Sequence, residues 1–262
     1  MVITAFPVGF SAGLFGIGGG LISVPVLYYI FGALGLSNDY LMHLAVGTSF
    51  AIIVPTSISS VLAHHKFKAV DFNIVKTYGV YAILGAILGT IFTSTLKTEQ
   101  LILFFVTVTF FLGIYLIFLK EKKIESNLNF KTHYKIFLGF ISGFISAPMG
   151  IGGAIMNVPV LKFFGFSINR AIGSAAAVGF LIATTASIGF LITGNYKEIN
   201  APLSIGFINI PTFLILLLNS SSDMLAKKPL IDSSLSMVPP VWPKPLPDIL
   251  GNKTPVEAIS GP

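Results

Sequence analysis

The sequence predicts an all-α, polytopic integral membrane protein with about seven transmembrane segments in two internal repeats whose helices are broken by glycine. Three observations carry this. Charged residues make up 10% of the 262, against about 25% in an ordinary globular protein, too few to cover a soluble surface. Hydrophobic residues reach 54% and mean hydropathy is +0.87, with the apolar residues gathered into long runs. Finally, Phe15-Gly-Ile-Gly-Gly-Gly-Leu-Ile-Ser-Val-Pro-Val-Leu27 returns 134 residues later as Met149-Gly-Ile-Gly-Gly-Ala-Ile-Met-Asn-Val-Pro-Val-Leu161, identical at eight of thirteen positions.

In chain order, the apolar runs cover roughly residues 2–34, 43–63, 74–95 and 101–119 in a first repeat (1–119), then 136–166, 171–192 and 203–218 in a second (136–218). A span needs about 17–25 apolar residues, so most of these qualify. The run 2–34 would make a helix of about 50 Å against a hydrocarbon core of about 30 Å. It must tilt, break or fold back, and its glycines favour a break. Between the repeats lies a polar linker, 120–135. His43-Leu-Ala-Val-Gly-Thr-Ser49 corresponds to Asn169-Arg-Ala-Ile-Gly-Ser-Ala175 if the second loop is about eight residues shorter, which pairs Gly47 with Gly173 and Thr48 with Ser174. Four crossings per repeat would make the two parallel and an odd number would invert them. Residues 219–262 hold eight of the fifteen prolines, which block helix continuation, so this tail reads as irregular. Its abrupt change of character suggests a shifted reading frame and an incomplete second repeat, which leaves an inactive truncated transporter as one alternative reading.

The formal charge of +6 comes from loops and lacks the aromatic interleaving of a nucleic-acid surface. Lys120, Lys122, Lys123, Lys131 and Lys135 fill the linker, and Lys66, Lys68 and Lys197 fall in loops of the same parity if each run crosses once; Lys97, Lys162 and Arg170 take the opposite side. The positive-inside rule then places the linker and the N-terminus in the cytoplasm. No cysteine is present, so disulfides and thiol chemistry are excluded. The N-terminal run has no basic leader and is longer than a signal peptide's apolar core, so it reads as retained.

The glycine motif is where chemistry concentrates. Ser23 and Asn157 occupy one repeat position and suit helix N-caps, with Pro25 and Pro159 falling in the first turn. A helix starting there would present free N–H groups and a positive dipole end inside the bilayer, and Gly16, Gly18, Gly19, Gly20, Gly150, Gly152 and Gly153 would let a ligand approach the backbone. Broken helices at corresponding points of two repeats point to a transporter's substrate site. The expected ligand is a small anion, with Thr48 and Ser174 as further contacts; the alternative is that the glycines serve only close helix packing in a non-transporting scaffold. No Asp or Glu lies inside an apolar run, which favours an anion over a cation and leaves His43, His64 and His65 as candidate proton carriers, or simple interfacial side chains. Metal-ligand spacing, a nucleophile elbow and paired carboxylates are all missing, so neither an enzyme, a metal nor a cofactor is expected. Ser49, Ser57, Ser59, Ser60, Thr184 and Thr185 are expected to bond to their own helix carbonyls, or in some cases to line a pore.

Gly9-Phe-Ser-Ala-Gly-Leu-Phe-Gly-Ile-Gly-Gly-Gly20 with Pro25, and Gly139-Phe-Ile-Ser-Gly-Phe-Ile-Ser-Ala-Pro-Met-Gly-Ile-Gly-Gly153 with Pro159, closely resemble the paired signatures of the TauE/SafE sulfite exporter family. The resemblance covers about residues 6–218. It implies an inner-membrane permease of seven or eight helices that moves sulfite, sulfonates or related organosulfur anions, often outward. The chain departs from the family pattern after Gly206-Phe-Ile-Asn-Ile-Pro211, where a further span would be expected.

Overall fold

The structure, a computed structural model, describes residues 20–36, 39–118, 132–195 and 202–218. Expectations for residues 1–19, for most of the linker and for the tail 219–262 lie outside these. The elements are α1 (Gly20–Ala33), α2 (Leu41–Lys66), α3 (Phe72–Thr95), α4 (Thr98–Phe118), α5 (Thr132–Met149), α6 (Ala154–Phe163) and α7 (Ile168–Asn195). A two-residue hairpin, β1 (Ser204–Ile205) with β2 (Ile208–Asn209), leads into helical residues 210–218, here α8. The protein is all-α and polytopic: α2, α3, α4 and α7 are each long and apolar enough to cross a membrane. The helix α5 begins at Thr132, inside the stretch expected to be linker.

Two pairs of helices set the architecture. α3 and α5 lie side by side and run the same way, because glycines let their backbones touch. A β-carbon on Gly85 would overlap the Phe140 carbonyl, one on Gly143 the Ala82 carbonyl, and one on Gly139 would sit 2.8 Å from the Tyr78 carbonyl. Small-residue faces of this kind drive association where lipid removes the hydrophobic incentive. Gly143→Val should therefore cut the yield of folded, detergent-extracted protein several-fold, read as the monodisperse fraction on size exclusion; undiminished yield would mean the helices can part.

α2 and α7 run in opposite directions. Phe50 near the start of α2 stacks on Phe190 near the end of α7 at 6.0 Å. Gly47 packs against the Phe207 carbonyl, which follows α7, while Gly173 at the start of α7 packs against Ala69, which follows α2. Since Gly47-Thr48 and Gly173-Ser174 are repeat equivalents, the two copies are inverted, related by a two-fold axis across the helices rather than along them. The weaker of the two sequence matches thus has a structural counterpart. Thr48 Oγ1 accepts the backbone N–H of Asn209 at 3.0 Å and Ser174 Oγ accepts that of Asp71 at 2.9 Å. Each of those segments then caps a helix: Asp71 Oδ1 accepts from the amides of Asn73 and Ile74 at the start of α3, and Asn209 Oδ1 accepts from the Thr212 amide in α8. α8 is therefore the counterpart of α3.

Inversion has a cause in α5 and α6. α6 folds back along α5: Gly153 lies beside Ser146, Asn157 beside Ser142, and the ring of Phe164 meets that of Tyr134 at 5.7 Å. The run 136–166 is thus a re-entrant hairpin whose two ends lie together, and not the single crossing assumed in assigning loop parity. The correction moves Lys162 and Arg170 to the same end of the bundle as Lys66 and Lys68, through the contact of α7's start with Ala69 and Asp71. Lys197 lies outside the described residues.

Candidate functional site

The tip of the hairpin, Gly150–Gly153, is buried in the bundle and touches the middle of two long helices: a β-carbon on Gly152 would lie 3.0 Å from Ile53 Cγ2 of α2, and one on Gly179 of α7 would overlap the Gly152 carbonyl. Gly150 and Gly153 have φ of +66° and +73°, the left-handed region that favours glycine. Two such residues three apart reverse the chain within one turn.

α1 starts at the same place from the other side. Gly20, the repeat equivalent of Ala154, sits against Gly150 and Ile151 so closely that a β-carbon would overlap the Gly150 carbonyl. The hydroxyl of Ser49 donates to that carbonyl at 3.2 Å and meets the Ser23 hydroxyl at 2.7 Å, joining α2 to both breaks. From this junction α1 runs antiparallel to α2, with Gly32 coming to Leu41, while α6 runs toward the opposite end. Two half-helices thus diverge from a shared origin, their positive dipole ends brought together.

Several expectations are corrected here. Asn157 is not the N-cap of α6: Gly153 holds that position and accepts the Asn157 amide at 2.9 Å. Ser23 likewise lies within α1, its hydroxyl donating to the Gly20 carbonyl at 3.5 Å. Pro25 and Pro159 fall inside their helices, beyond the first turn, where each withholds one i→i−4 bond. For α6 the physical reason is that a tight reversal needs positive φ, so Gly153 takes the capping position and the helix starts four residues sooner. His43, in the first turn of α2, is fully buried, its Nε2 at 3.0 Å from the Thr93 carbonyl in the last turn of α3 and its ring against Phe207 and Tyr40. His64 and His65 do lie at the end of α2, half-buried and exposed. Gly16, Gly18 and Gly19 lie outside the described residues. Thr48 and Ser174 are buried, and their oxygens accept the amides named above. Ser57, Ser59, Thr184 and Thr185 bond to their own helix carbonyls, whereas Ser49 bridges the two breaks. Gly20 is explained by close packing alone, and Gly150 by close packing together with its positive φ.

Gly153 is different, because its surroundings are polar and unmatched. Among the described residues the amides of Gly152, Gly153, Ala154 and Ile155 make no hydrogen bond, as expected for the first turn of a helix. Beside them are two fully buried side-chain atoms without a partner, Asn157 Nδ2 and Ser146 Oγ. A β-carbon on Gly153 would lie 3.0 Å from the first and 3.4 Å from the second. Six unmatched donors are therefore gathered in the turn around Gly153, two of them beside that glycine itself, deep in an apolar bundle where each costs several kcal/mol. Ser142, Ser146 and Tyr78 are absent from the expected site; the two serines have a visible signal, since Gly139, Ser142, Gly143 and Ser146 form a small, polar stripe at helical spacing, while Tyr78 has none.

Residues 1–220 match the family model described as sulfite exporter TauE/SafE. A "Probable membrane transporter protein" of Haemophilus influenzae is 32% identical over 206 residues, covering 79% of this chain and 78% of that one. A similarly named protein of Methanocaldococcus jannaschii is 30% identical over 226 residues (82% and 79% of the two chains), and one of Bacillus subtilis is 26% identical over 220 residues (77% and 81%). No solved structure matches the chain. The fold, the paired glycine breaks and a family match spanning most of the chain agree: this is a multi-pass membrane transporter, not an enzyme, and it belongs to the TauE/SafE sulfite exporter family.

Proposed function

We propose that the protein moves a small oxyanion of the sulfite or organosulfonate class across the inner membrane, outward, and that the anion binds where the half-helices α1 and α6 begin. The observation that carries this reading is the set of six unmatched donors in the turn around Gly153, four of them backbone amides at a positive dipole end. An oxyanion supplies what they require: several acceptor oxygens and one negative charge on a small body. Cations are disfavoured because no carboxylate lies within the apolar runs. The inverted repeats support a transport role, since such folds expose a central site to each side in turn by rocking one repeat against the other. Sidedness follows from charge: Lys66, Lys68, Lys162 and Arg170 share the end at which α5 begins, so that end and the linker are cytoplasmic.

The test is labelled sulfite flux through proteoliposomes containing the purified full chain. Saturable flux, inhibited by methanesulfonate, is the expected result. Flux indistinguishable from empty vesicles, together with no protection of a producing strain grown in excess sulfite, would sink the assignment.

A further inference from the structure

We propose that Tyr78 and Ser142 are positioning residues that decide what the tip can hold, by fixing which way the Asn157 side chain faces. This rests on the reading of the tip as an oxyanion site and adds the rule by which it selects. Asn157 has one carbonyl oxygen and one NH2 group on opposite corners of a planar amide, and the two make opposite demands on a neighbour. Its Oδ1 is engaged by two hydroxyls from two helices, Tyr78 of α3 at 2.8 Å and Ser142 of α5 at 2.5 Å, each donating. Both lone-pair directions of that oxygen are thereby used. The NH2 corner is left facing Gly153 and Ser146, buried and with no partner among the described residues.

The consequence is a site face made of donors. The Asn157 NH2 and the amides of Gly152–Ile155 can only donate, and Ser146 can turn its proton toward whatever they hold. A ligand oxygen placed among them must be bare. A protonated oxygen or an amino group at the same point would set donor against donor in a buried site, where the mismatch is costly and discrimination correspondingly steep. Sulfite and sulfonates present three bare oxygens that share a negative charge, whereas their uncharged amides and esters present two and put an amino or alkoxy group in place of the third. If the amide were turned over, the tip would present a carbonyl oxygen and would select protonated or cationic ligands. Tyr78 and Ser142 hold it in the first orientation by donating to Oδ1, Tyr78 at 2.8 Å in preference to the Leu138 carbonyl at 3.3 Å, and neither needs to touch the ligand to do so.

Two competitors of nearly equal shape read this directly: methanesulfonate and methanesulfonamide, scored by inhibition of labelled sulfite flux in the proteoliposomes described above. The unmodified protein is expected to be inhibited by the sulfonate and, at a hundredfold higher concentration, hardly at all by the sulfonamide. In Tyr78→Phe, which keeps the ring in its place, and in Ser142→Ala, the preference should fall about tenfold and KM for sulfite rise about tenfold, with maximal flux changed less than threefold. A purely structural role would lower maximal flux and yield together without touching the preference. Asn157→Asp, which replaces the donor by an oxygen, should raise KM at least a hundredfold. Saturable flux with an unchanged preference in both hydroxyl variants, or Asn157→Asp with ordinary KM, would overturn the positioning role alone. Preference for the sulfonamide in the unmodified protein would show the amide turned over. Absence of saturable flux in the unmodified protein would remove this proposal together with the oxyanion site.

Discussion

Replacing Gly153 by alanine should reduce sulfite flux at least a hundredfold, whereas the same replacement at Gly35 should leave flux within about twofold of normal. The pair separates two costs that a glycine substitution always mixes. Both residues sit in the left-handed region, at φ of +73° and +69°, so each alanine adds a backbone penalty of about 1 kcal/mol. Beyond that they differ. A methyl at Gly35 meets nothing within 4 Å, while one at Gly153 lies 3.0 Å from Asn157 Nδ2, 3.4 Å from Ser146 Oγ and 2.7 Å from Ile182 Cδ1. The isoleucine terminus can shift; the methyl would still occupy the space beside the two side-chain donors, where the anion's oxygen belongs. Stability in detergent should therefore fall alike in the two variants and transport in only one. Equal flux from both would show that nothing binds against Gly153, and the glycine would then be there for the turn alone.

Much of this site was legible before the fold was known, and the part that was not has a physical explanation. Long apolar runs, sparse charge and a glycine motif repeated with its proline are properties of composition and spacing, so the membrane fold and the location of the break at Gly150–Gly153 follow from them. Direction does not. A run of about thirty apolar residues with a glycine cluster in its middle can break and continue or reverse on itself, and the difference lies in the sign of φ at Gly150 and Gly153, which composition does not encode. The mistaken caps come from the same place. Asn157 and Ser23 have side chains that suit a helix start, and propensity favours them there; the reversal needed glycine at the cap and left Asn157 free to face inward. The burial of His43 is also not legible in the sequence, because the Thr93 carbonyl and the two aromatic rings that enclose it come from distant segments or from packing that spacing does not show. Tyr78 could not have been linked to Asn157 from spacing alone, since 79 residues and three helix boundaries separate them.

Gly47→Val and Gly173→Val should each prevent the protein from accumulating in folded form, and to the same extent, because they do one job at two ends of the molecule. Each glycine lies on a long helix of one repeat, pressed against the main-chain carbonyl of a residue that leads into a helix of the other: Phe207 for Gly47 and Ala69 for Gly173. Valine at either place would put carbon where a carbonyl already is, and backbone held by a helix cannot yield as a side-chain terminus can. The neighbouring hydroxyls allow a graded version of the experiment. Thr48→Val and Ser174→Ala remove the acceptors of the Asn209 and Asp71 amides and leave a buried donor unmatched, worth about 1–3 kcal/mol each. Unfolding in detergent should therefore occur at lower temperature in both, by similar amounts. The combined variant should lose about the sum, since the contacts lie at opposite ends of α2 and α7 and share no partner. A large loss from one and none from the other would mean that only one of the two contacts holds the repeats together, and that the inverted symmetry seen in their positions has no energetic counterpart.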